Sequence, residues 1–266
     1  MSSVAVIVGS AFQKQTLGNQ TLEKVEITTE FGSVELHRYP NRSESEAYVL
    51  FRHGLPHKWL PNQIPYRAHT AALRKVGCQA LLVTSSVGVL DIEVPLDRPL
   101  LVSDLLMPDN RLPDGSACTM FPQPTPEHGH LVLEEGLLSK SLGKQVQTFG
   151  TQHGVTIDSQ VVFAYVGGPR TKSAAENRYW AQVGAQVNSM TFGPEVVLAN
   201  EYEIPCAGVV VGHKYSVPHK KDPLDQKSIT ESLVRSHEVL EQLVCTFLEQ
   251  AQPVPFANRI YRFHQA

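Results

Sequence analysis

Six short apolar runs constrain what this chain can fold into: Val4–Val8, Tyr48–Phe51, Ala80–Val83, Leu100–Val102, Val161–Val166 and Ala207–Val211. They are rich in Val, Leu and Ala and do not alternate with polar residues. A strand reads this way when helices cover both faces of its sheet, because neither face then needs a polar residue. Helical patterns fill the gaps between the runs. Ala68, Ala71, Ala72 and Val76 recur at near-helical spacing over 66–76, and Gly77 supplies a stop. Ser173-Ala174-Ala175-Glu176 is a capping box that predicts a helix to about Ala185. Pro194 suits the first turn of a helix through about Glu203. Ser228-Ile229-Thr230-Glu231 predicts the start of another helix, with Leu233, Val234, Leu240, Leu243, Val244, Phe247 and Leu248 on one stripe. Alternating strands and helices define an α/β sheet with helices on both faces.

Val25–Thr28 and Ser33–His37 alternate instead, as a hairpin around Phe31-Gly32 would. No internal repeat or linker divides the 266 residues, so residues 1–266 are expected to form a single domain. The stretch 107–128 is rich in Pro, Asp, Gly and Thr; a loop of that length is usually functional or mobile. The tail after Gln250, with Pro253 and Pro255, is expected to wrap the surface or meet a neighbour.

In such sheets ligands bind beyond the carboxyl ends of the strands. Here the runs are followed by Gly9-Ser10, Arg52-His53-Gly54, Thr84-Ser85-Ser86-Val87-Gly88, Gly167-Gly168-Pro169-Arg170 and Gly212-His213-Lys214. Glycines, hydroxyls and cations together are what an anion such as phosphate requires. An arginine buried at a strand end needs an anion in any case. Other chemistries are disfavoured: a GxSxG elbow, a Walker A loop and GxGxxG are all absent. His53 and His57 lack a third ligand nearby, so no metal is expected. With net charge -3 and no Lys/Arg stripe, neither is a nucleic-acid partner. No apolar run approaches the roughly 18 residues of a membrane helix. Four scattered cysteines without CxxC fit free thiols in a reducing compartment, and the N-terminus lacks a signal-peptide pattern. A cytoplasmic location is the expectation.

Several segments also resemble, in order, those of the purine nucleoside and methylthioadenosine phosphorylase family. They are Arg52-His53-Gly54 with His57, Tyr66-Arg67-Ala68 and Gly77-Cys78; then Thr84 to Leu90; then Gly168-Pro169-Arg170 with Ala175-Glu176; then Met190-Thr191-Phe192-Gly193-Pro194-Glu195 to Ala199. The resemblance implies a nucleoside phosphorylase-like fold: one α/β domain with a mixed, mostly parallel central sheet flanked by helices, assembling as a homotrimer. It implies phosphorolysis of a purine-type nucleoside to free base and pentose 1-phosphate, with phosphate as co-substrate and no cofactor. Carried over by position, Ser10, Arg52, His53, Ser85, Ser86 and Thr191 would hold phosphate, with Thr84 beside them at a turn. His57 and Met190 would meet the sugar, His57 at its 5′ end near a neighbouring subunit. Val87, Gly88, Thr171, Lys172, His213 and Tyr215 would face the base together with Gly168, and His213 would be the catalytic donor.

The chain departs from the pattern around the base. Similar enzymes carry Asp or Asn after the late strand, where this sequence has Gly212-His213-Lys214-Tyr215, and Lys172 stands where oxopurine enzymes have Glu. His, Lys and Tyr lean towards donating hydrogen bonds, which suits a 6-oxo group better than a 6-amino group. A 6-oxopurine or 5′-modified nucleoside is therefore expected ahead of adenosine, provided that no acid reaches in from another loop; Asp222 and Asp225 are the nearest candidates in sequence. Two further readings stay open: a non-catalytic nucleoside- or phosphate-binding homologue, and another nucleoside-processing reaction, such as hydrolysis, in the same pocket.

Overall fold

The computed structural model describes residues 2–40, 45–126, 128–217 and 226–262, and in α5 the side chains of Val234 and of Ser236 onward. Along the chain the elements are β1 (Ser3–Val8), β2 (Thr16–Leu17), β3 (Gln20–Thr21), β4 (Glu23–Thr29), β5 (Gly32–Tyr39), β6 (Glu46–Phe51), α1 (Tyr66–Lys75), β7 (Cys78–Val89), β8 (Pro99–Leu106), β9 (His130–Val132), α2 (Lys140–Gln152), β10 (Gln160–Tyr165), α3 (Ala174–Gln182), β11 (Val187–Ser189), α4 (Gly193–Glu201), β12 (Cys206–Tyr215), α5 (Gln226–Gln250) and β13 (Arg259–Tyr261). Each of the six apolar runs lies mostly or wholly within a strand.

A nine-stranded sheet in the order β11-β10-β8-β12-β7-β1-β6-β5-β4 carries the domain, and β11 also pairs with β7. The sheet is mixed. The pairs β1–β6, β1–β7, β7–β12, β8–β10 and β10–β11 are parallel, while β7–β11, β8–β12, β4–β5 and β5–β6 are antiparallel. The β7–β11 pairing closes β7, β12, β8, β10 and β11 into a ring.

Side-chain parity in β1 shows why its run is apolar throughout. Ala5 and Ile7 join a core with Ala68 and Leu73 of α1 and Val196 and Ala199 of α4. Val4, Val6 and Val8 join the opposite core with Leu142 and Val146 of α2 and Leu243 and Phe247 of α5. Successive residues thus meet different helices, and neither parity has room for a polar side chain.

Several expectations are corrected. Residues Thr84–Gly88 continue β7 instead of forming a turn, and Gly212–Tyr215 continue β12 past a register shift between Gly212 and Tyr215. Ser228 lies inside α5 and does not cap it, because the helix is already formed at Gln226. Val234 is 54% exposed and leaves the stripe, of which Leu240, Leu243, Val244, Phe247 and Leu248 are buried; the side chain of Leu233 lies outside the described ones. Helix α2, capped by Ser139 accepting from the Leu142 N–H, has no counterpart in the sequence reading. Residues 107–126 are pinned: Arg67 donates to the Thr119 and Ala117 carbonyls, Glu201 accepts from Thr119 Oγ1 and the Met120 N–H, and Leu112, Cys118 and Met120 are buried. The tail after Gln250 wraps back as expected, through β13, which pairs with β9.

Phe192 enters α4 with φ 80°. Its ring stacks on Phe163 at 4.5 Å and covers Gly208, where an added Cβ would lie 2.4 Å from Phe192 Cζ. Glycine in mid-strand is therefore required by the close approach of an aromatic ring. Gly208→Ala should lower the unfolding free energy by about 1–3 kcal/mol through overpacking, measured by urea titration; an unchanged midpoint would show that Phe192 can move aside.

Candidate active site

Parallel pairing sets the first half of the site. Val8 stands opposite Phe51, and Ile7 opposite Val83, so Gly9-Ser10 and Arg52-His53 leave the sheet beside Thr84-Ser85-Ser86, which run on within β7. Pairing of β7 with β12 puts Ser86 beside Val211. Ser10, Ser86 and His213 line one cleft of about 590 Å³, together with Lys14 and, from α5, His237 and Glu241. A cleft of this size suits a small organic molecule.

Arg52 is 1% exposed, so its charge requires a partner. That partner is Glu195 in the first turn of α4: Arg52 Nε donates to Oε1 at 2.6 Å and Nη2 to Oε2 at 2.7 Å. The remaining nitrogen, Nη1, comes to Gly9, where an added Cβ would lie 3.0 Å away. The anion that Arg52 requires is thus a carboxylate of the chain itself and not the expected phosphate. Glu195 was visible in the Pro194-Glu195 motif, and the need for an anion was legible, but no spacing rule joins residues 143 apart.

His53 is buried, and its Nδ1 lies 2.8 Å from the Trp59 carbonyl, which can only accept; Nδ1 therefore carries the hydrogen. Burial lowers the pKa of this ring to about 4, with Arg52 and His57 adding to the effect against the Trp59 hydrogen bond. His53 is thus neutral at physiological pH and offers a lone pair at Nε2. His57 is exposed and stacks on it at 4.4 Å. The fully buried His69, pushed down to about 3 chiefly by burial, lies behind them against Trp59.

Hydroxyls gather next to this group. Ser85 Oγ is 3.3 Å from Thr191 Oγ1 and 3.5 Å from Ser189 Oγ, and Ser189 donates to the Ser86 carbonyl at 3.0 Å. Ser189 is a member that sequence reasoning missed. Thr84 turns the other way and ties β7 to β1 through the Ile7 carbonyl. Met190 packs under Gly168, where a Cβ would lie 2.7 Å from Met190 Sδ.

The residues expected around a base are more scattered. Val87 packs in the core. Gly88 lies against Ser216 and Asn188. Tyr215 donates to the Val94 carbonyl at 3.1 Å. Thr171 is exposed at the entrance to α3, where Arg170 forms a two-pronged ion pair with Glu176 and holds that carboxyl at about 2. Lys172 is half-buried beside it, its pKa lowered first by burial and further by Lys214, against Glu176. His213 has its Nδ1 3.0 Å from Asp97 Oδ1. An acid does reach in from another loop, and it is Asp97; Asp222 and Asp225 lie outside the described residues. Among the described residues no group of three His, Cys, Asp or Glu side chains is placed to hold a metal, and no helix is long and apolar enough to cross a membrane.

A single α/β domain with this ringed sheet, and strand ends carrying hydroxyls around a cleft, defines the nucleoside phosphorylase class of folds. Methylthioadenosine phosphorylase from an Antarctic soil metagenomic library has the same fold, with TM-score 0.76 and 21% identity over 96% of this chain and 89% of that one. A family model of the phosphorylase superfamily matches residues 3–249, and the chain belongs to that superfamily. It is 27% identical over 259 residues to S-methyl-5′-thioadenosine phosphorylase 1 of Puccinia graminis f. sp. tritici, covering 93% of this chain and 83% of the relative. It is 29% identical over 250 residues to a probable 6-oxopurine nucleoside phosphorylase of Dictyoglomus turgidum, covering 90% and 88%.

Arg52→Met or Glu195→Leu alone leaves an unpaired buried charge and should cost about 3–5 kcal/mol of stability, whereas the double variant should recover most of it. Urea unfolding of the four proteins checks this, and independent, additive losses would refute coupling. His53 and His69 have folded pKa values below the ordinary 6.5, so the folded state resists taking up protons that the unfolded chain accepts. The stability they contribute is complete above pH 6.5 and falls as pH drops towards 4 and 3. Thermal unfolding across this window should show the decline, and His69→Gln should make it shallower.

Proposed function

We propose that the protein cleaves the N-glycosidic bond of a purine-type nucleoside with inorganic phosphate, giving free base and pentose 1-phosphate. The carrying observation is the convergence of Gly9-Ser10 and Arg52-His53, just past the ends of β1 and β6, on Ser85-Ser86 of β7 and Thr191 in a phosphorylase-superfamily chain. As the base leaves, the sugar gains oxocarbenium character, which a bound phosphate stabilises and then attacks at C1′. Holding the phosphate in line lowers the barrier further. In this reading Ser10, Ser85, Ser86 and Thr191 supply hydroxyls, and neutral His53 accepts from a protonated phosphate oxygen. Arg52 backs the loop at Gly9. Met190 and His57 meet the sugar. His213, with Gly88, Lys172 and the Thr171 segment, faces the base and protonates it. Phosphate is the only co-substrate, no cofactor takes part, and the protein works in the cytoplasm as a homotrimer.

The relatives' names span 5′-methylthio and 6-oxopurine substrates. With His213 and Lys172 as donors, 6-oxopurine or 5′-modified nucleosides are preferred to adenosine. One observation favours the non-catalytic alternative: pairing with Glu195 neutralises Arg52, which leaves phosphate to be held largely by neutral groups. A panel of inosine, guanosine, adenosine and their 5′-methylthio forms, with and without phosphate, decides between the readings. Phosphate-dependent release of base is expected, with adenosine poorest by about ten- to a hundredfold. Release without phosphate would indicate hydrolysis, and binding without release a non-catalytic protein.

A further inference from the structure

We propose that Asp97 is a positioning residue for the leaving-group proton, holding His213 so that Nδ1 faces Asp97 and Nε2 faces the cleft. The proposal rests on the phosphorolysis reading above and adds a residue that no motif marks.

Asp97 is fixed to β12 at two points. Its N–H donates to the Gly212 carbonyl at 2.8 Å, and its carboxylate takes the neighbouring His213 at 3.0 Å. Its backbone has φ 61°, a left-handed conformation uncommon for a residue with a side chain. Such backbone persists where surrounding contacts hold it, and it is frequent at functional sites. A carboxylate only accepts, so Nδ1 carries a hydrogen whether the ring is neutral or charged. The ring therefore keeps one orientation when Nε2 gains and loses its proton. Other charged or titratable groups near His213 are Lys214 on its own strand, Lys14 after β1, and His237, Glu238 and Glu241 on α5.

In the step itself, the C1′–N9 bond breaks and its electron pair goes to the purine. The Nε2 proton of His213 moves to N7, and a phosphate oxygen forms the new bond to C1′. The proton given up by the resulting phosphate ester restores the imidazolium, so protons balance over one turnover.

A nucleoside methylated at N7 tests this directly, because its base already carries positive charge and leaves without a proton. The full-length chain is assayed at saturating phosphate with inosine and with 7-methylinosine. Asp97→Asn should lower kcat on inosine by about a hundredfold and change KM for phosphate by less than about twofold, while kcat on the methylated substrate falls by less than about threefold. Asp97→Glu, which keeps the carboxylate, should recover part of the inosine rate. Equal losses on both substrates, or no loss on either, would overturn the proposal. If thermal melting shows Asp97→Asn unfolded, Asp97→Ser carries the same comparison. If the wild type releases base from neither nucleoside, the phosphorolysis reading fails and this proposal with it. Normal wild-type turnover with equal variant losses defeats the proposal alone.

Discussion

The site is organised by the buried pair of Arg52 and Glu195. Each is about 1% exposed, and neither could occupy its position without the other. The two bonds join the end of β6 to the first turn of α4, so a strand end and a helix start share one fixed geometry. A carboxylate in the first turn of a helix is also favoured by the partial positive charge there. Thr191 lies just before that helix and reaches Ser85 of β7. Gly9 lies under the free nitrogen of Arg52. Three segments that would otherwise be independent loops are thus registered against one ion pair. Such a pair is weak as a source of net stability, since desolvation offsets its attraction, but strong as a geometric constraint, since breaking it strands a charge.

A second polar chain orders the other half. Asn188 of β11 donates to Asn177 of α3, and Asn177 donates to the Ser216 carbonyl after β12. These bonds connect the helix that follows the Gly168-Pro169-Arg170 segment to the end of the strand that carries His213. The half-sites differ in electrostatic character. Around Ser85 and Thr191 the groups are neutral hydroxyls, a neutral imidazole and a compensated arginine. Around His213 they are ionisable, with Asp97, Lys14 and Glu241 close to the cleft.

What the sequence disclosed follows the range of the physics involved. Burial on both faces is written into each strand, so the sheet and the parity of Val4–Val8 were legible. Capping is local, so the Ser173-Glu176 box was legible to the residue. Strand ends are local as well, so Ser10 and Arg52 were legible as residues just past β1 and β6, whereas the run of β12 through His213 to Tyr215 was not. Strand length was less legible: Thr84–Gly88 looks like a polar turn because its hydroxyls are paired by distant partners, the Ile7 carbonyl for Thr84 and Thr191 for Ser85. Helix α2 went unread because Gly143, Gln147 and Gly150 dilute its apolar stripe; Gly143 abuts Leu101 and Gly150 abuts Ile157, so their smallness serves tertiary packing. Asp97 was out of reach for the same reason as Glu195. Its partner is 116 residues away, and the loop that carries it has no periodicity to betray a buried contact.

The placement of the carboxylate bears on what the site can recognise. His213 lines the cleft, and Asp97 stands behind its Nδ1. A carboxylate in direct contact accepts hydrogen bonds and so selects an amino group, whereas the same carboxylate behind an imidazole leaves only Nε2 to face the ligand. Protonated, that nitrogen donates to N7 or to an oxo group; neutral, it accepts. On the proposed reading, recognition and proton supply then depend on one atom and on its protonation state. Tyr215 adds no donor, since its hydroxyl hydrogen is committed to the Val94 carbonyl. On the proposed reading, the histidine that disfavours an amino group while it is protonated is also the group that gives the departing base its proton.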